Sequence, residues 1–147
     1  MPARGRPHVE SRTPVLGIPA VDPELEASVR LGLDDVEQRL RDAVKSDDPL
    51  LAETARHLME AGGKRFRPLL LLLTSHLGDP YAPGLPPAAV VVELTHIATL
   101  YHDDVMDEAA LRRGAESANS RWTNSVAILT GDYLFARASA GSVDVRA

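Results

Sequence analysis

The stretch "YHDDVMDEAALRRGA", Tyr101 to Ala115, sets three aspartates and a glutamate near the end of a long apolar run, with two adjacent arginines just beyond. At helical spacing the run extends back to about Pro87, so that one long helix is expected from Pro87 to Ala109. Carboxylates in the last turns of a helix lie against the negative end of its dipole, at a cost of roughly a few tenths of a kcal/mol or more each. A positive charge is expected to meet them.

Outward from this helix the chain reads as helical throughout. "DPELEASVRLGLDDVEQRLRDAVK" opens with Asp22 as N-cap and Pro23 at the first helical position, and it repeats Leu25, Val29, Leu33, Val36, Leu40 and Val44 at helix spacing. A second helix starts on the Asp48-Pro49 cap and stops at Gly62 and Gly63. Pro68 begins a third, "PLLLLLTSHLG", whose lack of a polar face predicts burial on nearly all sides and a central position. "GDPYAPGLPP" is a loop, and a last helix is expected from Asn124 to Ala138, despite an interior Gly131 that costs about 1 kcal/mol against alanine. No strand alternation or internal repeat is found, so the class is all-α.

Composition sets outer limits. The 147 residues are 44% hydrophobic and 25% charged, enough for one globular domain or part of one. Sixteen Lys plus Arg against 21 Asp plus Glu leave a net charge of -5, with no basic face to argue for nucleic acid. There are no cysteines, which excludes disulfides and thiolate metal sites and fits a cytoplasmic setting. The longest apolar run, Leu69 to Leu73, falls far short of the roughly 20 residues of a membrane span. Residues 1–21, rich in proline and arginine, read as a flexible tail.

Two clusters bear chemistry. At about 100° per residue, His96, Asp103 and Asp107 fall within about 20° of one line, with Asp104 roughly 80° away. Carboxylates that leave room for water and phosphate oxygens suit magnesium better than a closed calcium cage. The plainer alternative is a solvated acidic helix end, with Glu108 and Arg112 as an i,i+4 pair and His96 buried for structural reasons. In "GGKRFRP", Gly62 to Pro68, Lys64 and Arg67 could converge on a diphosphate; otherwise the segment is a glycine C-cap followed by a solvated basic linker. Arg112 and Arg113, followed by Gly114, offer a second clamp.

These elements, in this order and spacing, resemble the N-terminal part of the trans-isoprenyl diphosphate synthases, the polyprenyl synthetase family. "GGKRFRP" resembles the family's isopentenyl diphosphate motif, "ELTHIATLYHDDVMDEA" its first aspartate-rich helix, "LRRGA" its arginine pair and "AILTGDYLFARA" the helix that follows. The resemblance implies the start of an isoprenoid synthase-type helical bundle over residues 22–138. It also implies that Asp103 and Asp107, with Asp104 supporting, hold magnesium on an allylic prenyl diphosphate that Arg112 contacts. Lys64, Arg67, His96 and Arg113 would bind isopentenyl diphosphate. In the reaction implied, the allylic carbon–oxygen bond ionises, the isopentenyl double bond attacks the cation and a proton leaves. Ala98 and Thr99, small residues where the family limits chain length, imply a medium or long polyprenyl product, and a homodimer is the implied assembly.

The family enzyme is roughly twice this long and carries a second aspartate-rich motif that this sequence does not supply, and residues 139–147 abandon the apolar helical pattern. The expectation is therefore a truncated chain, inactive alone. The alternative is a non-catalytic helical module that binds a partner or phosphate, such as a subunit of a heteromeric synthase.

Overall fold

The computed structural model describes residues 22–143 and 145; the tail expected over 1–21 lies outside them. Six helices occur among the described residues: α1 (Pro23–Ala43), α2 (Pro49–Glu60), α3 (Phe66–Ser75), α4 (Leu85–Met106), α5 (Ala118–Arg121) and α6 (Asn124–Gly141). A small antiparallel hairpin, β1 (Leu111–Arg112) and β2 (Ala115–Glu116), interrupts them. Among the described residues the architecture is all-α but for this hairpin.

The expected caps start the first two helices. Asp22 Oδ1 accepts from the amides of Glu24 and Leu25 at 2.9 and 3.3 Å, and Asp48 Oδ1 accepts from Leu51 N at 3.0 Å. Each satisfies amides that a helix start leaves without partners. Gly62, at φ 93, turns the chain out of α2 in a conformation open to glycine at little cost.

The third helix differs from its expectation in two ways. It begins at Phe66, two residues before Pro68, with Arg65 as a left-handed N-cap at φ 46 and ψ 40. Nor is it central: it packs chiefly against α1 and α4, burying Leu69 and Leu72, while Phe66 and Leu70 stay 60% and 50% exposed. The centre belongs to α4, which lies along α6 and contributes Ala89, Val90, Leu94, Ile97, Ala98 and Tyr101 to the core. From α1 and α2 come Val36, Leu40, Ala55, Leu58 and Met59.

At its ends α4 spans Leu85–Met106 rather than Pro87–Ala109, because Asp107 caps it and Glu108 turns left-handed at φ 49. The final helix runs past Ala138 to Gly141. Its Gly131 has a packing purpose, since a Cβ there would collide with the imidazole of His102 on α4. That ring lies 3.3 Å from Asp132 and 3.2 Å from the Ile128 carbonyl oxygen, so glycine lets α4 and α6 approach around it.

Candidate functional site

The acidic end of α4 holds its carboxylates in two different environments. Asp103 is half-buried and Asp107 is exposed, one turn apart on one side of the helix, and neither forms an ion pair among the described residues. Asp104 is fully buried, and its Oδ1 accepts from Arg112 Nε at 2.6 Å, with Nη2 of the same guanidinium in ion-pair contact at 2.5 Å. Its Oδ2 is buried with no hydrogen-bond partner. Asp104, expected to support its neighbours as a ligand, anchors Arg112 through Oδ1, and it turns inward because its helical position faces the core.

Arg112 and Arg113 sit on the hairpin, which the sequence reading did not anticipate. Arg113 and Gly114 have φ of 54 and 78, the paired positive values of a tight two-residue turn whose twist matches that of the strands. The hairpin carries the adjacent arginines to different anchors. While Arg112 reaches Asp104, Arg113 Nη1 donates to Leu58 O at 3.2 Å and to Gly62 O, at the end of α2 and the start of the basic turn. His57 fastens the other strand, with Nε2 2.6 Å from Glu116 O, and its ring meets Trp122 edge-on. The Arg-Gly pair was the available signal for this hairpin; the helical pattern on both sides obscured it.

In the basic turn Lys64 and Arg67 are exposed and make no ion pair or side-chain hydrogen bond among the described residues. Arg65 is engaged, with Nε and Nη2 2.8 and 3.2 Å from the two Glu37 oxygens, Nη1 3.3 Å from Glu93 Oε1 and Nη2 3.0 Å from Met59 O. Neither Glu37 nor Glu93 was anticipated as part of the site. Glu93, one turn before His96, is 2% exposed and keeps Oε2 without a partner.

Electrostatics tie the two clusters together. Burial holds the His96 imidazole below its ordinary pKa, the charges of Arg67 and Arg113 push the same way, and Glu93 and Asp103 oppose them. The Arg113 guanidinium is likewise lowered, first by burial and then by Arg65, with Arg112 and Arg67 adding to it. His96, Arg67 and Arg113 therefore feel one another across three elements, with Asp103 in the same field. Such an excess of cations around a neutral imidazole favours an anion. An expected outcome is that excess inorganic pyrophosphate raises the His96 titration midpoint, read by NMR of the imidazole; an unmoved midpoint would separate His96 from the anion site.

The chain-length candidates part company. Ala98 is fully buried in the core, roughly 140° around α4 from Asp103, whereas Thr99 lies about 40° from it and is partly exposed. Only Thr99 shares the side of α4 that bears Asp103.

For a cation, Asp103 and Asp107 offer hard oxygen donors open to water, and Asp104 Oδ2 is a buried carboxylate oxygen without a hydrogen-bond partner. No group of three or more His, Cys, Asp or Glu side chains arranged to hold a metal occurs among the described residues. The donor set fits an ion that keeps water and phosphate oxygens in its shell. Among the described residues, no helix is long and apolar enough to cross a membrane.

Comparison with known proteins places the chain among relatives. The nonaprenyl diphosphate synthase of Mycobacterium tuberculosis is 49% identical over 132 residues, which cover 87% of this chain and 39% of that protein. Heptaprenyl diphosphate synthase component 2 of Bacillus subtilis is 45% identical over 104 residues, 71% of this chain and 30% of that one. Among solved structures, geranylgeranyl pyrophosphate synthase from Corynebacterium glutamicum, complexed with calcium and isoprenyl diphosphate, has a TM-score of 0.72 at 49% identity and covers 86% of this chain and 38% of its own. The chain thus spans well under half the length of these relatives. The family model "Polyprenyl synthetase" matches residues 48–145. Since that match takes in every element from α2 to α6, the chain belongs to the polyprenyl synthetase family.

Proposed function

We propose that this chain supplies the diphosphate-binding part of a polyprenyl diphosphate synthase, which condenses isopentenyl diphosphate with an allylic prenyl diphosphate. The observation that carries this reading is the basic turn itself, where exposed Lys64 and Arg67 have no ion-pair partner among the described residues and Arg113 is fastened to Gly62 O. Arg67 and Arg113, with Lys64 and His96, hold the diphosphate of isopentenyl diphosphate and so fix where its double bond lies. Arg112, its orientation set by Asp104, presents its remaining N–H groups to the allylic diphosphate and stabilises the charge that develops as the carbon–oxygen bond ionises. A magnesium ion on Asp103 and Asp107 would add charge neutralisation for the departing pyrophosphate. The side of α4 bearing Thr99 and the exposed Val92 gives the cation and the growing prenyl chain an apolar wall, and the small Thr99 favours a longer product.

Calorimetry with isopentenyl diphosphate tests the reading. Binding is expected, competed by inorganic pyrophosphate and weakened roughly tenfold or more in Arg67→Ala, which loses a charge-assisted contact. Binding indifferent to Arg67 would refute it. A second reading, one subunit of a two-component synthase, draws on the similarity to a protein named component 2. It requires that elongation appear only when another polypeptide is added.

A further inference from the structure

Arg65 occupies a backbone conformation that costs an L-residue about 1–2 kcal/mol, in a turn that already contains two glycines. Its guanidinium spends four N–H contacts on Glu37, Glu93 and Met59 O, so little donor capacity is left for a ligand. It also passes close to the guanidinium of Arg113, since a Cβ on Gly63 would touch Nη1 of both. Two like charges are therefore brought together at the base of the turn. Buried Glu93 acts on both, pairing directly with Arg65 and opposing the field that lowers Arg113.

We propose that Arg65, held between Glu37 and Glu93, is a positioning residue that fixes the left-handed step of the basic turn so that Lys64 and Arg67 are presented to a diphosphate while Arg65 itself is withheld. This rests on the diphosphate reading of the turn. It goes further in assigning α1 a part in the site, because Glu37 precedes the segment that matches the family, residues 48–145. Without its two carboxylates Arg65 would lose the contacts that offset its strained backbone, and the turn would sample conformations in which Lys64 and Arg67 diverge.

The sign of one substitution separates positioning from simple charge. Glu37→Ala removes a negative charge near a cationic site, which by electrostatics alone tightens anion binding. Positioning requires the reverse: about tenfold weaker binding of inorganic pyrophosphate by the 147-residue chain, with helix content unchanged. Arg65→Lys, which keeps the charge but not the two-pronged grip, is expected to behave likewise. Amide hydrogen exchange is read in parallel at Leu69, whose N–H donates to Arg65 O at 2.9 Å, and is expected to accelerate at least tenfold in Glu37→Ala while Leu72 and Leu73, further along α3, stay protected. Unchanged exchange overturns the proposal whether or not pyrophosphate binds, and so does binding as tight as that of the unsubstituted chain. Accelerated exchange in a chain that never binds pyrophosphate would instead remove the diphosphate reading and leave the positioning role of Arg65 standing.

Discussion

Tyr101→Ala lowers the stability of the chain by about 3–5 kcal/mol, the scale of a buried aromatic truncation, against a total of roughly 5–15 kcal/mol for a domain. Tyr101 is fully buried on α4, and its hydroxyl reaches into α2, where it donates to Thr54 O and accepts from Leu58 N at 3.2 Å. Those two backbone groups are four residues apart, the pair that one rung of an α-helix joins, so the phenol docks on a single rung of α2. Thr54 is tied in turn to α6 by Thr130 Oγ1 at 2.9 Å, which makes the hydroxyl the meeting point of three helices. Burial pushes the phenol well above its ordinary pKa and keeps it a donor. Tyr101→Phe separates the two contributions: it keeps the ring and loses about 1 kcal/mol, the net contribution of a hydrogen bond. Urea unfolding of both variants checks this. Equal losses would mean that the ring contributes little beyond its hydroxyl, contrary to the packing described. The consequence for function is direct, since Tyr101 pins the part of α4 that carries Asp103 two residues on.

How far the sequence could be read depended on whether a residue's role was local. The Asp-Pro caps at Asp22 and Asp48, the break at Gly62 and the long apolar α4 were legible because each is set by neighbours within a turn or two. The one-turn spacing of Asp103 and Asp107 at the end of α4 was legible for the same reason. The inward turn of Asp104 was not, since the helical angle placed it only roughly 80° off the stripe and the partner that draws it in, Arg112, arrives on a hairpin. Arg65 looked like one basic residue among three; its commitment to Glu37 and Glu93 joins residues 28 apart, which no local pattern records. The apolar run of α3 suggested a centre, but Phe66 and Leu70 are exposed, and apolar content does not say which side a neighbour will cover.

The difference among the three aspartates leads to the other large expected effect. Asp103→Ala, and likewise Asp107→Ala, reduces elongation roughly 10²–10³-fold in an enzyme that carries this segment, the size of effect seen when charge stabilisation is withdrawn from a departing group. Neither substitution touches a packed ion pair, so the melting temperature of the chain stays near that of the parent. Asp104→Asn does the opposite: it weakens a buried anchor of Arg112 and lowers the melting temperature, while the carboxylates open to a cation remain in place. In the chain alone, inorganic pyrophosphate gives the decisive sign. Without a divalent ion the carboxylate of Asp103 repels the ligand, so Asp103→Ala is expected to bind pyrophosphate more tightly than the parent; with magnesium present the same carboxylate would help hold the ion, and the substitution is expected to bind more weakly. Calorimetry in the presence and absence of magnesium reads both arms. A change in the same direction under the two conditions would mean that Asp103 acts as a simple negative charge and that the cation is held elsewhere.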